Sequence, residues 1–312
     1  MTRAFIFPGQ GSQFIGMGKD LAENFTIAKD VFAEVDEALN QKLSTLMFEG
    51  DEADLNLTEN TQPALMAVSV AVSRILESEC GVDFTSDDVK FAAGHSLGEY
   101  SALTAMHALA LADTARLLRI RGTAMQKAVP VGVGAMAAIL GLDFADVAAI
   151  ADEACGDESC TAANDNSDGQ VVVSGHKAAV ERAVALASDK GAKRAVLLPV
   201  SAPFHCPLMQ PAADAMAEAL AEVTINTPQA PIVANVTANA ITDADAIRNA
   251  LVEQVCGMVR WRESVLYMGQ EGVTEMIELG AGKVLTGLTR RIDRSISGKA
   301  VGTVDAIKDF NA

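Results

Sequence analysis

The sequence predicts an α/β fold that carries a second, smaller unit within it, and three observations say so. Short apolar runs alternate with amphipathic stretches through the first third of the chain. Residues 130–199 then read strand-helix-strand-strand-helix-strand, the order of a ferredoxin-like unit. At 312 residues, half of them apolar, the chain is long enough for a large core and an inserted one.

Taken in order, residues 4–7 are expected to form a strand ending on the turn Pro8-Gly9-Gln10-Gly11-Ser12-Gln13. Leu65, Val68, Val72, Ile75 and Leu76 recur at helical spacing and predict a helix over 62–78. Residues 89–93 read as a strand running into Gly94, residues 99–109 as the helix after it, and a further helix starts near Asp113. In the smaller unit, strands are expected at 134–142, 161–164, 170–174 and 193–200, with helices at 143–154 and 177–190. The division is therefore 1–129 and 200–312 for the main core and 130–199 for the insert, the chain returning to the main sheet near 200.

A formal charge of −17 argues against nucleic acid and against an anionic membrane surface, both of which call for a basic face. No apolar run reaches membrane-spanning length, and the apolar stretch after Met1 is too short for a secretion signal, so a cytoplasmic protein is expected. Cys80, Cys155, Cys160, Cys206 and Cys256 are scattered, and the four histidines complete no zinc pattern with them. Reduced thiols and no metal are expected.

The strongest chemical signal is Gly94-His95-Ser96-Leu97-Gly98, set between an expected strand and an expected helix. A nucleophilic serine must project from a tight turn, which small neighbours permit. The helix beginning just beyond it points free N–H groups and the positive end of its dipole at the same place. The N–H of Leu97 is then placed to meet a developing oxyanion. Ser96 is the expected nucleophile, while His95 should project away from the turn and His107 lies along the following helix, both as structural residues.

His205 is the expected base, in a loop Ser201-Ala202-Pro203-Phe204-His205-Cys206-Pro207 that two prolines stiffen. His176 opens a helix of the insert and is expected at its surface, and Cys206 is the lesser candidate for the nucleophile because its surroundings lack a comparable turn. The backbone of Gly9-Gln10-Gly11 is free to approach a ligand closely. Nucleotide-binding patterns fail both there and at Gly280-Ala281-Gly282-Lys283: Phe14 replaces the third glycine of one, and Ile277 and Val284 break the other.

Arg121 has Leu117, Leu118, Ala124 and Met125 one helical turn away on either side, which puts its guanidinium on an apolar face. A charge there calls for a partner, either a carboxylate of this chain or one carried by a substrate. Arg119, among Ala115, Arg116, Gly122 and Thr123, is expected in solvent.

Together with Phe7-Pro8-Gly9-Gln10-Gly11, Thr61-Gln62-Pro63, Glu99-Tyr100, Asn164-Asp165-Asn166-Ser167, Gly169-Gln170-Val171-Val172 and Gly282-Lys283-Val284-Leu285, these segments place the resemblance. From residue 5 to about 292 the chain resembles the malonyl-CoA:acyl-carrier-protein transacylases of bacterial fatty-acid synthesis. That resemblance implies a hydrolase-like α/β core with a mostly parallel sheet and an inserted ferredoxin-like subdomain. It implies that Ser96 is acylated with His205 as its base, and that the N–H groups of Gln10 and Leu97 form the oxyanion hole. It further implies that Arg121 holds the malonyl carboxylate and that the backbone carbonyl of Gln254 orients His205 in place of a triad's acid. Two positions depart from the family pattern: Met258 stands where a proline usually precedes Val259-Arg260-Trp261, and Ala281 replaces a frequent proline.

The expected activity is transfer of malonyl from malonyl-CoA to the phosphopantetheine thiol of acyl carrier protein through a malonyl-serine intermediate. Malonyl-CoA is then a substrate, the chain needs no cofactor of its own, no nucleic acid or membrane is a partner, and a monomer is expected. Lys190, Lys193 and Arg194, or Arg290, Arg291 and Arg294, are candidates for docking an acidic carrier, against the plainer reading of scattered solvated charges. One alternative is a serine thioesterase or esterase, which shares the turn but gives no reason for Arg121. Another is an acyltransferase for a different acyl-CoA, although Phe204 suits a small malonyl donor. A non-catalytic carrier-binding protein is disfavoured by the presence of nucleophile, base and arginine together.

Overall fold

The computed structural model describes residues 1–200 and 202–310, so Ser201 of the expected base-bearing loop lies outside the described residues. The first part of the chain runs β1 (Arg3–Phe7), α1 (Lys19–Asn24), α2 (Thr26–Leu39), α3 (Leu43–Glu49), α4 (Glu52–Leu55) and α5 (Thr58–Glu79). It continues through β2 (Val89–Gly94), α6 (Gly98–Ala105) and α7 (Leu111–Ala128). A separate group follows: β3 (Gly134–Leu140), α8 (Phe144–Cys155), β4 (Cys160–Ser167), β5 (Gln170–His176), α9 (Lys177–Asp189) and β6 (Arg194–Leu197). The last part holds α10 (Gln210–Ala221), β7 (Ile232–Val233), β8 (Ala240–Ile241), α11 (Ala244–Cys256) and α12 (Trp261–Gln270). It closes with β9 (Glu275–Leu279), α13 (Val284–Ile292), β10 (Ser297–Val301) and α14 (Val304–Lys308).

The main sheet has six strands in the order β10-β9-β1-β2-β7-β8, parallel throughout except for the β7–β8 pair. Because side chains alternate along a strand, β1 serves two cores at once. Phe5 and Phe7 pack with α5, α6 and α7 on one face, while Ala4 and Ile6 pack with Trp261, Val265 and Leu288 on the other. The second sheet is antiparallel, in the order β4-β5-β3-β6, and α8 and α9 cover its apolar face through Val147, Ile150, Val180 and Ala183. Sheet order and helix placement are those of the expected ferredoxin-like unit, and the main sheet is the mostly parallel one expected.

Three expectations need correction. The helix expected over 99–109 stops at Ala105, because His107 takes a left-handed conformation with φ of 58°. Its N–H donates to the Thr104 carbonyl and that of Ala108 to the Leu103 carbonyl, closing the helix with the hydrogen bonds a glycine usually secures. His107 also binds Glu77 at the surface. The return to the main sheet near 200 does not occur either: after β6 the chain enters the loop bearing His205, then α10, and the next main-sheet strand is β7. Finally, Arg119 is not a solvated charge but half-buried, donating to Asn60 Oδ1 at 2.9 Å and to Gln41 Oε1.

Candidate active site

The site lies beyond the carboxyl ends of β1 and β2, where loops leave a parallel sheet and ligands are met. After β2 the chain turns so sharply that Ser96 is held at φ of 55°, a conformation that costs a non-glycine residue about 1–3 kcal/mol. The two glycines are there for space. A Cβ on Gly94 would sit 1.9 Å from the Gly98 carbonyl, and one on Gly98 would sit 2.2 Å from the Phe7 carbonyl. The elbow is thus wedged against the end of β1, which brings Gln10 and Leu97 to the same cleft.

Ser96 Oγ lies 2.8 Å from His205 Nε2 across 109 residues of sequence. On the other ring edge, His205 Nδ1–H donates to the Gln254 carbonyl at 2.8 Å and is shared with the Gly257 carbonyl at 3.1 Å. Two carbonyl acceptors leave the proton on Nδ1 and make Nε2 the acceptor for the serine hydroxyl. A carbonyl therefore stands where the acid of a triad would, with Met258 in place of the usual proline, so that departure leaves the contact intact. His205 is itself buried with φ of 58°. Burial first, and the Arg121 charge second, lower its pKa to about 3 from the ordinary 6.5.

Arg121 is 1% exposed and reaches Ser96 directly. Its Nη1 donates to Gln62 Oε1 at 2.8 Å, and its Nη2 donates to Gln254 Oε1 at 2.8 Å and to Ser96 Oγ at 3.1 Å. Its Nε has no acceptor among the described residues. No carboxylate oxygen of the described residues comes within 4.0 Å of the guanidinium. Of the two partners left open from sequence, the internal carboxylate is therefore not in contact. Amides and a hydroxyl hold the cation, with the Tyr100 ring 5.8 Å away.

The N–H of Ser96 donates to Asn235 Oδ1 at 2.7 Å, which takes it out of reach of a substrate. Gln10 and Leu97 line the cleft, and their N–H groups donate to no described protein group. The cleft, about 580 Å³, is lined by Gln10, Ser96, Leu97, Arg121, His205 and residues of the second sheet, among them Asn164, Asn166 and Val172. A larger groove of about 1020 Å³ runs over α1, α2 and α3 and holds none of these groups. His95 does not point away as expected: it lines the cleft and donates from Nε2 to Asn166 Oδ1 at 2.8 Å, against Trp261. His176 caps α9 half-buried, its Nδ1 accepting from the Ser159 N–H.

The acyl transferase domain model matches residues 4–301. The chain is 48% identical over 304 residues to a malonyl CoA-acyl carrier protein transacylase of Escherichia coli (strain K12), covering 97% of each. A Bacillus subtilis (strain 168) protein of the same name is 47% identical, with 98% of this chain and 95% of that one covered. The chain belongs to the acyl transferase domain family. Among solved structures, the acyl-carrier-protein-S-malonyltransferase of Bartonella henselae superposes with a TM-score of 0.96 at 56% identity, covering 99% and 98% of the two chains. A malonyl-transacylase solved in complex with its type II PKS acyl-carrier protein superposes at 0.95 with 43% identity, over 99% and 98%.

The sequence reading of this acyl transferase domain missed two residues around the elbow. Asn235 accepts from the Ser96 N–H and donates from Nδ2 to the Gly94 carbonyl at 2.6 Å, clamping both sides of the turn. Glu99 is fully buried and accepts from the Asn235 N–H at 2.9 Å and from Gln254 Nε2 at 3.0 Å. Burial raises its pKa to about 7, against the opposing pull of Asn235, Gln254 and Arg121. Glu99 stood in the Glu99-Tyr100 segment that carries the resemblance, but its only signal toward this role was an acidic residue in the first turn of a helix of small and apolar residues. Asn235 carried none.

Proposed function

We propose that this acyl transferase domain moves a malonyl group from malonyl-CoA to the phosphopantetheine thiol of an acyl carrier protein, with Ser96 carrying it between the two. The single observation behind this reading is the position of Ser96 Oγ between a neutral, correctly tautomeric His205 and a buried arginine that no carboxylate of the described residues contacts. The relatives named above carry this activity in their names.

Ser96 Oγ attacks the thioester carbonyl while His205 Nε2 takes the hydroxyl proton. The carbonyl oxygen becomes an oxyanion held by the N–H groups of Gln10 and Leu97, each donor worth about 10²–10³ in rate. Collapse breaks the C–S bond, and CoA leaves as a thiol with the proton from Nε2. The carrier's thiol then gives its proton to Nε2 and attacks the malonyl-serine ester, and Ser96 departs with that proton. Arg121 selects the donor: a malonyl carboxylate satisfies its charge, whereas an acetyl group leaves the guanidinium with amides alone. No cofactor enters either half-reaction.

Residues 130–199 act in this reading as the inserted unit that walls one side of the cleft. Of the two basic clusters, Lys193 of this unit meets Arg291 of α13. Lys193 and Arg291 line one hollow of about 250 Å³ with Asp168 and Gln170, and Arg290, Arg291 and Arg294 line the next. Lys190 is already paired with Glu153 at 2.6 Å. An acidic carrier is expected to dock there on a monomer of this chain, as the −17 charge elsewhere repels it.

Incubation with malonyl-CoA should add a malonyl mass to Ser96, and holo carrier protein should then remove it as malonyl-carrier. Release as free malonate with no transfer would instead make the domain a thioesterase, and no labelling at all would leave only a carrier-binding protein.

A further inference from the structure

Gln254 carries a side-chain amide whose contacts the mechanism leaves unused. Its backbone carbonyl receives His205 Nδ1–H, but its side chain, fully buried, sits between Arg121 and Glu99. Oε1 accepts from Arg121 Nη2 at 2.8 Å, while Nε2 donates to Glu99 Oε2 at 3.0 Å, to the Ser96 carbonyl at 3.0 Å and to Asn235 Oδ1 at 3.4 Å. A side-chain amide is nearly symmetric in shape, so only its neighbours decide which end faces which way. Here the alternatives are unequal. Turned over, Gln254 would set its NH2 against the guanidinium and its oxygen against three acceptors, of which Glu99 is the only carboxyl group.

We infer that Glu99 is a positioning residue: it fixes the Gln254 amide, and through that amide the guanidinium of Arg121, so that preference for a carboxylate-bearing acyl group depends on a residue that touches no substrate. The inference rests on the proposed role of Arg121. Glu99 is suited to the task because the Asn235 N–H holds the same Oε2 from the other side, at 2.9 Å. Asn235 in turn clamps the elbow, so the carboxyl group is tied to the turn that carries the nucleophile. Without an acceptor at this place Arg121 keeps Gln62 but loses a dependable Gln254, and a buried cation with fewer fixed partners sweeps a wider range of positions. The two contacts through Oε2 need an oxygen acceptor at that point and nothing more. A glutamine at 99 supplies one, whereas a methionine supplies none, and an aspartate is one methylene short of it.

The test compares kcat/KM for malonyl-CoA and acetyl-CoA, with the same holo carrier, in Glu99→Gln, Glu99→Met, Glu99→Asp and Arg121→Met. Glu99→Met and Glu99→Asp should each lower the malonyl-over-acetyl preference about tenfold or more, the weight of one hydrogen bond to a charged group. Glu99→Gln should keep the preference within about threefold. Circular dichroism and thermal melting report whether each variant folds, and Glu99→Asp keeps the comparison usable should the methionine variant fail. Equal losses for both donors in Met and Asp, with the preference intact, overturn the inference, and so does a glutamine variant as indiscriminate as the methionine one. Loss of preference in Arg121→Met with none in the Glu99 variants removes only the Glu99 role. An unchanged preference in Arg121→Met removes the role of Arg121 and, with it, this one.

Discussion

Replacing Arg121 by methionine keeps most of the length and packing of the side chain while removing the charge and all its donors. In the structure those donors reach Gln62, Gln254 and Ser96, and no carboxylate, so the removal breaks no ion pair of the described residues. In the proposed reaction, what it takes away is the contact with the donor's own carboxylate. One or two charge-assisted hydrogen bonds at about 1.5–3 kcal/mol each, at about 1.4 kcal/mol per factor of ten, correspond to a loss of about 10²–10⁴ in kcat/KM for malonyl-CoA. Acetyl-CoA makes no such contact and should lose little. It has one reason to gain, because the Arg121 charge is the second cause holding His205 below its ordinary pKa, and its removal makes Nε2 a stronger base. The assay is the initial rate of carrier acylation with each donor, wild type beside variant, with Gln62→Leu as a control that removes one of the arginine's supports and should move the preference in the same direction by less. The reasoning fails if malonyl-CoA and acetyl-CoA lose the same factor, since that would make Arg121 a support of the serine rather than a reader of the donor.

Four other outcomes follow from the same geometry. His205 has a folded pKa of about 3, below the ordinary 6.5, so kcat/KM for malonyl-CoA should stay level through pH 6.5, and an acid limb centred there would contradict the burial argument. By the same shift the stabilising contribution of neutral His205 is fully present above pH 6.5 and is lost as the pH falls toward 3, so His205→Gln should flatten the acid side of a melting-temperature profile. Gly98→Ala drives a Cβ to 2.2 Å from the Phe7 carbonyl and should cost about 3 kcal/mol or more in urea unfolding, with Ser96 labelling lost; an unaltered midpoint would mean the elbow is not wedged as described. Charge reversal at Arg290 and Arg291 should raise KM for the carrier severalfold and leave single-turnover labelling by malonyl-CoA unchanged, and a carrier KM unmoved in both these and Lys193→Glu would place docking elsewhere.

Much of the fold was legible because its signals are local. The short apolar run of β1, the helical spacing in α5 and the succession of elements over 130–199 lie within windows of a few residues to a few tens, where backbone periodicity leaves its mark. Where local chemistry gave no sign, the reading strayed. The end of α6 has a histidine where a glycine would have announced it, and the stretch before His205 leads to a loop because β7, rather than the residues near 200, pairs with β2.

The site divides along the same line. Sequence alone determined that Ser96 stands in a strained turn between strand and helix, and that Arg121 projects from an apolar helix face, since each statement concerns neighbours within one turn of chain. Only the tertiary structure decided what these groups meet. His205 reaches Ser96 across 109 residues, Ser96 meets Asn235 across 139, and Gln254 meets Glu99 across 155. Such contacts depend on sheet order and on how two separate sheets share a cleft, and no local periodicity records them. The structure also decided that, among the described residues, the arginine has amides and a hydroxyl rather than a carboxylate in contact with it.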